Sequence, residues 1–206
     1  MFDITQEHPN YRAKKAVWAM YRDLYAVGHQ MKNNAGAYLT SRQKEPRDVY
    51  GERLNRVFYE NYIGSIIDWY GATLFRREPV VTLEGKNECG KKFFASFMED
   101  CDRKGTSITD FFRKQVIEAV VAGVSYILVD FPRSTQPAGS RAEEELRGST
   151  RAYLVPYSAE ELVNWSVDER GKLQWAVLRT KYLSRSSREQ GNPEERTRWA
   201  YYDQEK

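Results

Sequence analysis

The segment SITDFFRKQVIEAVVAGVSYILVDFP, residues 107–132, decides the fold class of this chain. Ser107 and Asp110 form a helix start, because the hydroxyl can accept an orphan backbone N–H and an acidic residue three positions later fits a capping box. Apolar residues then recur at helical spacing up to Gly123, which suits a left-handed C-terminal stop. The apolar run within GVSYILVDFP, residues 123–132, ends on Asp130 and predicts a strand. A helix followed by a fully apolar strand predicts a buried central strand with that helix packed against it.

The chain upstream of this segment is predicted to be mainly helical. Residues 11–27 form an amphipathic helix that ends before Gly28. Residues 48–70 show the strongest helical periodicity, which predicts one long helix with a single apolar stripe. Residues 91–103 predict a further short helix. The apolar stripe of the long helix consists of Tyr50, Leu54, Val57, Phe58, Tyr62, Ile66 and Trp69.

The remainder of the chain favours strands and turns. Extended character begins near Pro79, and the pattern therefore divides the chain into a mainly helical part, 1–78, and a sheet-bearing part, 79–206. Residues 158–165 resemble a short capped turn or helix, and Asp168–Gly171 predict the turn of a hairpin. Polar loops are predicted at 133–151 and 184–198, where Pro, Gly, Ser and charges dominate. The fold class expected from this order is α+β.

Bulk composition limits the function classes. The chain has 206 residues and a mass of 24.1 kDa, which fits one domain or a large part of a bigger one. The net charge of +3 lacks the concentrated basic face of a dedicated nucleic-acid reader. No stretch approaches the roughly 18 apolar residues of a membrane span. Aromatic residues reach 14%, which favours large packed cores or subunit interfaces.

Catalytic motifs are missing from the sequence. It contains no phosphate-binding glycine loop, no GxSxG, no HExxH and no CxxC. Cys89 and Cys101 have no metal-ligand spacing, and His8 and His29 have no partner cluster. We therefore assign no catalytic, cofactor-binding or metal-binding residue, predict no cofactor, and expect a protein that is not an enzyme.

Asp130 is the one carboxylate whose position resembles a catalytic one. It ends an apolar strand, and Glu118 lies on the helix before it, so a divalent ion could be held there. The next predicted strand, RAYLVPY, carries no second acid. The favoured interpretation is that Asp130 accepts backbone N–H groups in the turn that Pro132 enforces.

Other polar and aromatic groups have two interpretations each. An acidic cluster could bind a cation, although a solvated helix end is favoured; it consists of Glu88, Glu99, Asp100 and Asp102. Arg76 and Arg77 could touch phosphate, although salt bridges at a rim are favoured. The five tryptophans could stack on bases, but their scatter favours core or interface packing; they are Trp18, Trp69, Trp165, Trp175 and Trp199.

Four stretches together resemble the N-terminal, wing part of tailed-phage portal proteins, in the portal-like group first catalogued as a domain of unknown function. They are WAMYRDLYAVGHQMKNNAGAYL from residue 18, YGERLNRVFYENYIGSIIDWYGATLFRREP from residue 50, DCDRKGTSITDFFRKQVIEAVVAGVSYILVDFP from residue 100, and PYSAEELVNWSVDERGKLQWAVLR from residue 156. The third is the most specific, because its Gly-Thr-Ser cap, glycine and I-L-V-D-x-P strand occur in order. The loop at 133–151 departs from the family pattern.

The resemblance implies a structural role. Portal proteins form rings, usually dodecamers, at one capsid vertex, and double-stranded DNA passes through the ring during packaging and ejection. The implied partners are further copies of the chain, the terminase, the capsid and head–tail connector proteins, with no membrane; the implied location is the virion, after assembly in the bacterial cytoplasm. The chain would then be a fragment of a longer protein. Two alternatives stay open: a metal-dependent nuclease or hydrolase centred on Asp130, and a non-catalytic adaptor that binds a protein partner.

Overall fold

The computed structural model describes residues 3–26, 28–82, 84, 88–132, 139–140, 143, 151–184 and 193–203. The fold is α+β. Its helices are α1 (Pro9–Tyr25), α2 (His29–Asn33), α3 (Ala35–Tyr38), α4 (Arg47–Asn55), α5 (Tyr62–Leu74), α6 (Glu88–Glu99) and α7 (Ile108–Ala122). Its strands are β1 (Tyr126–Asp130), β2 (Tyr153–Tyr157), β3 (Leu162–Val167), β4 (Leu173–Ser184) and β5 (Glu194–Asp203).

Contacts divide the chain into two units, one formed by residues 1–21 with 158–206 and the other by residues 22–157. The division passes through α1 and falls directly after β2, whereas the sequence pattern changes character near residue 78. The predicted loop at 133–151 lies almost entirely outside the described residues.

The first unit contains an antiparallel sheet in the order β3–β4–β5. A tight turn joins β3 to β4, as the sequence predicts: Asp168 N–H donates to Lys172 O at 2.9 Å, and Gly171 adopts a φ of 78°. Its buried side chains include Val163 on β3 and Val177 on β4. The polypeptide preceding α1 joins the same unit, because His8 N–H donates to Val163 O at 3.0 Å and the His8 ring stacks on Trp165 at 3.9 Å.

One prediction for this unit is wrong, and another is confirmed only in part. Residues 194–198, predicted as loop, form the first half of β5, and their pairing with β4 extends to Ser184↔Glu194. Backbone pairing does not depend on charge, and charged side chains are common on an edge strand because they discourage aggregation. Residues 185–192 lie outside the described part. The short turn or helix predicted at 158–165 is only a turn, since β3 begins at Leu162.

The second unit has its core where α7 meets β2. Ser107 caps α7 by accepting from Asp110 N at 3.2 Å, and Gly123 ends it with a φ of 82°, as the sequence predicts. Four buried residues form a cluster against which Phe97 and Met98 of α6 pack; they are Cys101, Ile108, Phe111 and Leu154. Leu154 N–H also donates to Cys101 O at 2.8 Å, which ties β2 to the loop before α7.

The strand that ends at Asp130 is not a buried central strand. β1 pairs only with β2 in a two-stranded antiparallel sheet among the described residues, and Val129 is 64% exposed. A continuous apolar run fits a fully buried strand, but periodicity alone cannot establish which elements cover it. The expectation of a central strand is therefore wrong, while the strand itself is confirmed.

The long helix predicted at 48–70 is broken into α4 and α5. Residues 56–61 leave the helix, and Asn61 starts α5 by accepting from Gly64 N at 2.7 Å. Tyr59 Oη donates to Leu24 O at 2.7 Å, which holds the intervening segment against the end of α1. The extended character expected near Pro79 produces no strand in the described residues 79–82 and 84.

Candidate interaction surface

Helix α5 exposes most of its apolar side chains. Six large residues are between 45% and 64% exposed, and we call them the α5 face: Tyr62, Ile63, Ile66, Trp69, Tyr70 and Leu74. Part of the apolar stripe that the sequence predicts, Tyr62, Ile66 and Trp69, therefore faces outwards. A helix that is apolar on nearly all sides normally lies inside a protein or an assembly.

The opposite side of α5 attaches it to α7. Gly64 and Gly71 are the buried residues of α5, and Ile67 between them is half-buried. A Cβ atom on Gly71 would stand 2.9 Å from Ile117 Cγ1, so the missing side chain lets α7 approach closely. The bulky residues are consequently left for the outward side.

Hydrogen bonds hold the start of α5 in place. Asn61 Nδ2 donates to Tyr25 O at 2.7 Å, and Tyr25 Oη donates to Asp68 Oδ1 at 2.6 Å. Burial, together with the hydrogen bond to Asp68, raises the pKa of Tyr25 to about 12, so the hydroxyl keeps its proton at neutral pH. The α5 face is thus presented by a helix that is fixed at its first turns and along its glycine side.

The size of the α5 face is typical of an interface. An aromatic side chain carries roughly 150–250 Å² of surface, so six half-exposed large side chains present on the order of 600 Å². The largest apolar patch on a monomer reaches about 300–600 Å², and a stable interface takes about 800 Å² from each partner. The α5 face alone supplies most of that area.

Asp130 accepts one backbone N–H, as its sequence position predicts, and also a hydroxyl from the neighbouring strand. Its Oδ1 accepts from Phe131 N at 2.8 Å, and its Oδ2 accepts from Tyr153 Oη at 3.0 Å. Tyr153 is the residue directly opposite on β2. Oδ2 therefore joins the ends of β1 and β2, whereas Oδ1 binds the residue that follows β1.

Three of the other acidic residues that the sequence singles out are bound by groups of the chain itself. Glu118 forms an ion pair with Arg22, and Asp100 forms one with Arg151. Asp102 Oδ1 accepts from the N–H groups of Lys104 and Thr106, which shapes the loop after α6. No three His, Cys, Asp or Glu side chains are grouped for metal binding in the described part of the chain.

The tryptophans occupy different environments, and they do not form one surface. Trp18 is buried and Trp69 belongs to the α5 face. Trp165 stacks on His8, Trp175 stacks with Tyr201 at 6.1 Å, and Trp199 lies under the Arg179 guanidinium at 5.7 Å.

Of the remaining candidates, Cys101 is fully buried, His29 is exposed, and Arg76 and Arg77 are exposed just after α5. The side chain of Cys89 lies outside the description.

Sequence reasoning missed a buried carboxylate at the end of α1. Asp23 is only 7% exposed and accepts hydrogen bonds from Gln30, Asn34 and Tyr38. Burial acts to raise its pKa, but the hydrogen bonds from those three side chains outweigh it, and the pKa lies below its ordinary value. The available signal was the four-residue spacing of Gln30, Asn34 and Tyr38, which places them on one side of a helical turn.

Comparisons with known proteins do not identify a family for this chain. No protein-family model matches the chain, and the search of curated proteins found no match. Among the described residues, none of the helices has the length and apolar character needed to cross a membrane.

Proposed function

We propose that this chain is the wing-like part of a phage portal subunit, a structural protein that assembles into a ring at the capsid vertex. The observation that carries the proposal is the α5 face, a surface of six large apolar and aromatic side chains on one helix whose first turns and glycine side are held in place. The resemblance of the stretches from residues 18, 50, 100 and 156 to portal proteins gives that surface a role. In this role the function depends on assembly and involves no turnover.

A ring needs a head-to-tail contact, in which one patch of each subunit meets a different patch of the next. The α5 face fits such a contact because it is large, preorganised and carries a single charged residue within its helix, Asp68. Complete subunits would close into a ring, usually of twelve copies. Terminase, capsid and head–tail connector proteins would dock on it, and the mature location is the virion.

The charge of the chain suits passage of double-stranded DNA. Each phosphate that a protein neutralises adds affinity and salt dependence, so a conduit that lets DNA slide avoids a concentrated basic surface. The net charge of +3 over 206 residues satisfies this requirement.

Electron microscopy and sedimentation of the complete gene product test the proposal. We expect closed rings with a central hole for the wild type, and smaller species for Ile66→Asp combined with Trp69→Ser. Val167→Ser is the matched control, because Val167 is 50% exposed while Ile66 is 54% exposed, and it lies on β3. This control should still form rings. Monomers of the wild-type complete product at tens of micromolar would overturn the portal proposal, whereas rings that survive the double variant would overturn only the assignment of the α5 face.

A further inference from the structure

A cavity of about 470 Å³ lies between α2–α3 and the segment that joins α4 to α5. One wall is formed by Met31, Ala35 and Leu39, which recur every four residues, and the other by Val57, Phe58 and Tyr59. Small-molecule sites usually occupy 300–1,000 Å³ and are lined by apolar and aromatic groups. The cavity has the volume of roughly 15 water molecules at liquid density.

Both walls are anchored to neighbouring residues of α1. Gln30, Asn34 and Tyr38 bind the Asp23 carboxylate at 2.8–3.0 Å and so fix α2 and α3. Tyr59 donates to Leu24 O at 2.7 Å and fixes the other wall. Hydrogen bonds to α1 therefore hold both walls in place, two of them made by the lining residues Tyr38 and Tyr59. Preformed hollows of this kind bind ligands at low reorganisation cost.

Lys32 is the one charged side chain among the described residues that line the cavity. Lys32 and His29 line it beside the apolar residues, and none of the described lining residues is acidic. The only nearby carboxylate that the walls use, Asp23, is already occupied by its hydrogen bonds. We infer that the cavity binds a small amphipathic carboxylate, whose apolar body contacts Met31, Leu39 and Val57 and whose anionic end lies beside Lys32. This inference does not depend on the proposed portal function.

Methionine methyl groups provide a direct test with decanoate as the probe. Met31 lines the cavity, Met98 packs on the Cys101 cluster and Met20 is exposed on α1, so one labelled sample contains the reporter and two internal controls. Decanoate, kept below its micelle concentration, should shift the Met31 methyl resonance, and this shift should saturate at a submillimolar decanoate concentration. The methyl resonances of Met98 and Met20 should not shift. A Met31 resonance that does not move, or equal movement of all three, would overturn the site.

Variants separate filling of the cavity from the charge preference. Val57→Trp fills the space and should weaken decanoate binding at least tenfold. Phe58→Ser changes an 83% exposed residue and should weaken decanoate binding severalfold. The second variant tests the site even if the first fails to fold. Val167→Ser on β3, at a 50% exposed position that does not line the cavity, is the control and should bind as the wild type does. Lys32→Gln should weaken the binding of decanoate about threefold, which is the size of effect expected for an exposed ion pair. The same variant should leave the binding of the uncharged decanol unchanged. Unchanged decanoate binding in Phe58→Ser and Val57→Trp, or in Lys32→Gln, would contradict the inference.

Discussion

The Ile117 side chain of α7 occupies the space that a side chain on Gly71 of α5 would need, with Cγ1 2.9 Å from the position of that absent Cβ. This contact decides which side of α5 faces the protein. The glycine side packs on α7, and the six residues of the α5 face point away from it. The surface proposed for assembly is thus a consequence of one close approach between two helices.

Gly71→Ala should destabilise the protein. Overpacking costs about 1–3 kcal/mol, while the higher helix propensity of Ala returns about 1 kcal/mol, so a net loss of about 1 kcal/mol is expected. Chemical denaturation monitored by circular dichroism measures this difference. In an Ile117→Ala background the same substitution should gain up to about 1 kcal/mol, because the obstructing side chain is gone and only helix propensity changes.

Gly51→Ala is the matched control for that experiment. Gly51 lies inside α4, and a Cβ built on it meets no atom within 4 Å. Only helix propensity then changes, so the variant should gain up to about 1 kcal/mol. Equal destabilisation by both substitutions would show that the Gly71–Ile117 contact has no special role.

The sequence predicted caps and tight turns well, because these depend on neighbouring residues. It did not predict which distant parts of the chain pack over a helix or strand. The Ser107 cap, the Gly123 stop and the turn at Asp168–Gly171 each depend on a few adjacent residues, and the structure confirms them. Periodicity across residues 48–70 identified an apolar stripe, but it could not show that Asn61 begins a new helix. It also could not show whether this chain or another covers the stripe.

Asp23→Asn should cost about 2–4 kcal/mol, because an amide presents donors to the donors of Gln30 and Asn34 and removes charge-assisted hydrogen bonds. Tyr38→Phe, the milder control, removes one donor and should cost about 1–2 kcal/mol. Urea titrations of the free energy of unfolding compare the three proteins.

Acid adds a second readout for Asp23. Its folded-state pKa is lowered, so its contribution to stability is fully present above the unfolded-state pKa of about 4 and is lost as the pH falls through the folded-state value. The stability difference between wild type and Asp23→Asn should stay constant from pH 5 to 8 and shrink below pH about 4. A difference that grows on acidification would rule out the carboxylate as the source.

Cys101 should resist thiol reagents in the folded protein. Burial, with a further contribution from Asp102, raises the pKa of its thiol to about 11, and the residue is 0% exposed. In a Cys89→Ser variant it is the single thiol of the chain. Its reaction with a disulfide reagent at pH 8 should be at least about 100-fold slower than in guanidinium chloride, because the thiolate is the reactive form. Comparable rates in the two conditions would mean that the α6–α7 core opens readily.

Asp130→Asn should reduce stability modestly and change no chemistry. An Asn at this position keeps an oxygen for Phe131 N–H, but it cannot accept from Tyr153 Oη with its nitrogen, so about 1 kcal/mol is lost. For a chain of this length that corresponds to about 2–4 °C in Tm. Tyr153→Phe removes the same hydrogen bond from the other side, and the double variant should be no less stable than either single one. A Tm unchanged within error would refute the turn role, while Mg²⁺-dependent DNA cleavage abolished by Asp130→Asn would instead support the nuclease hypothesis.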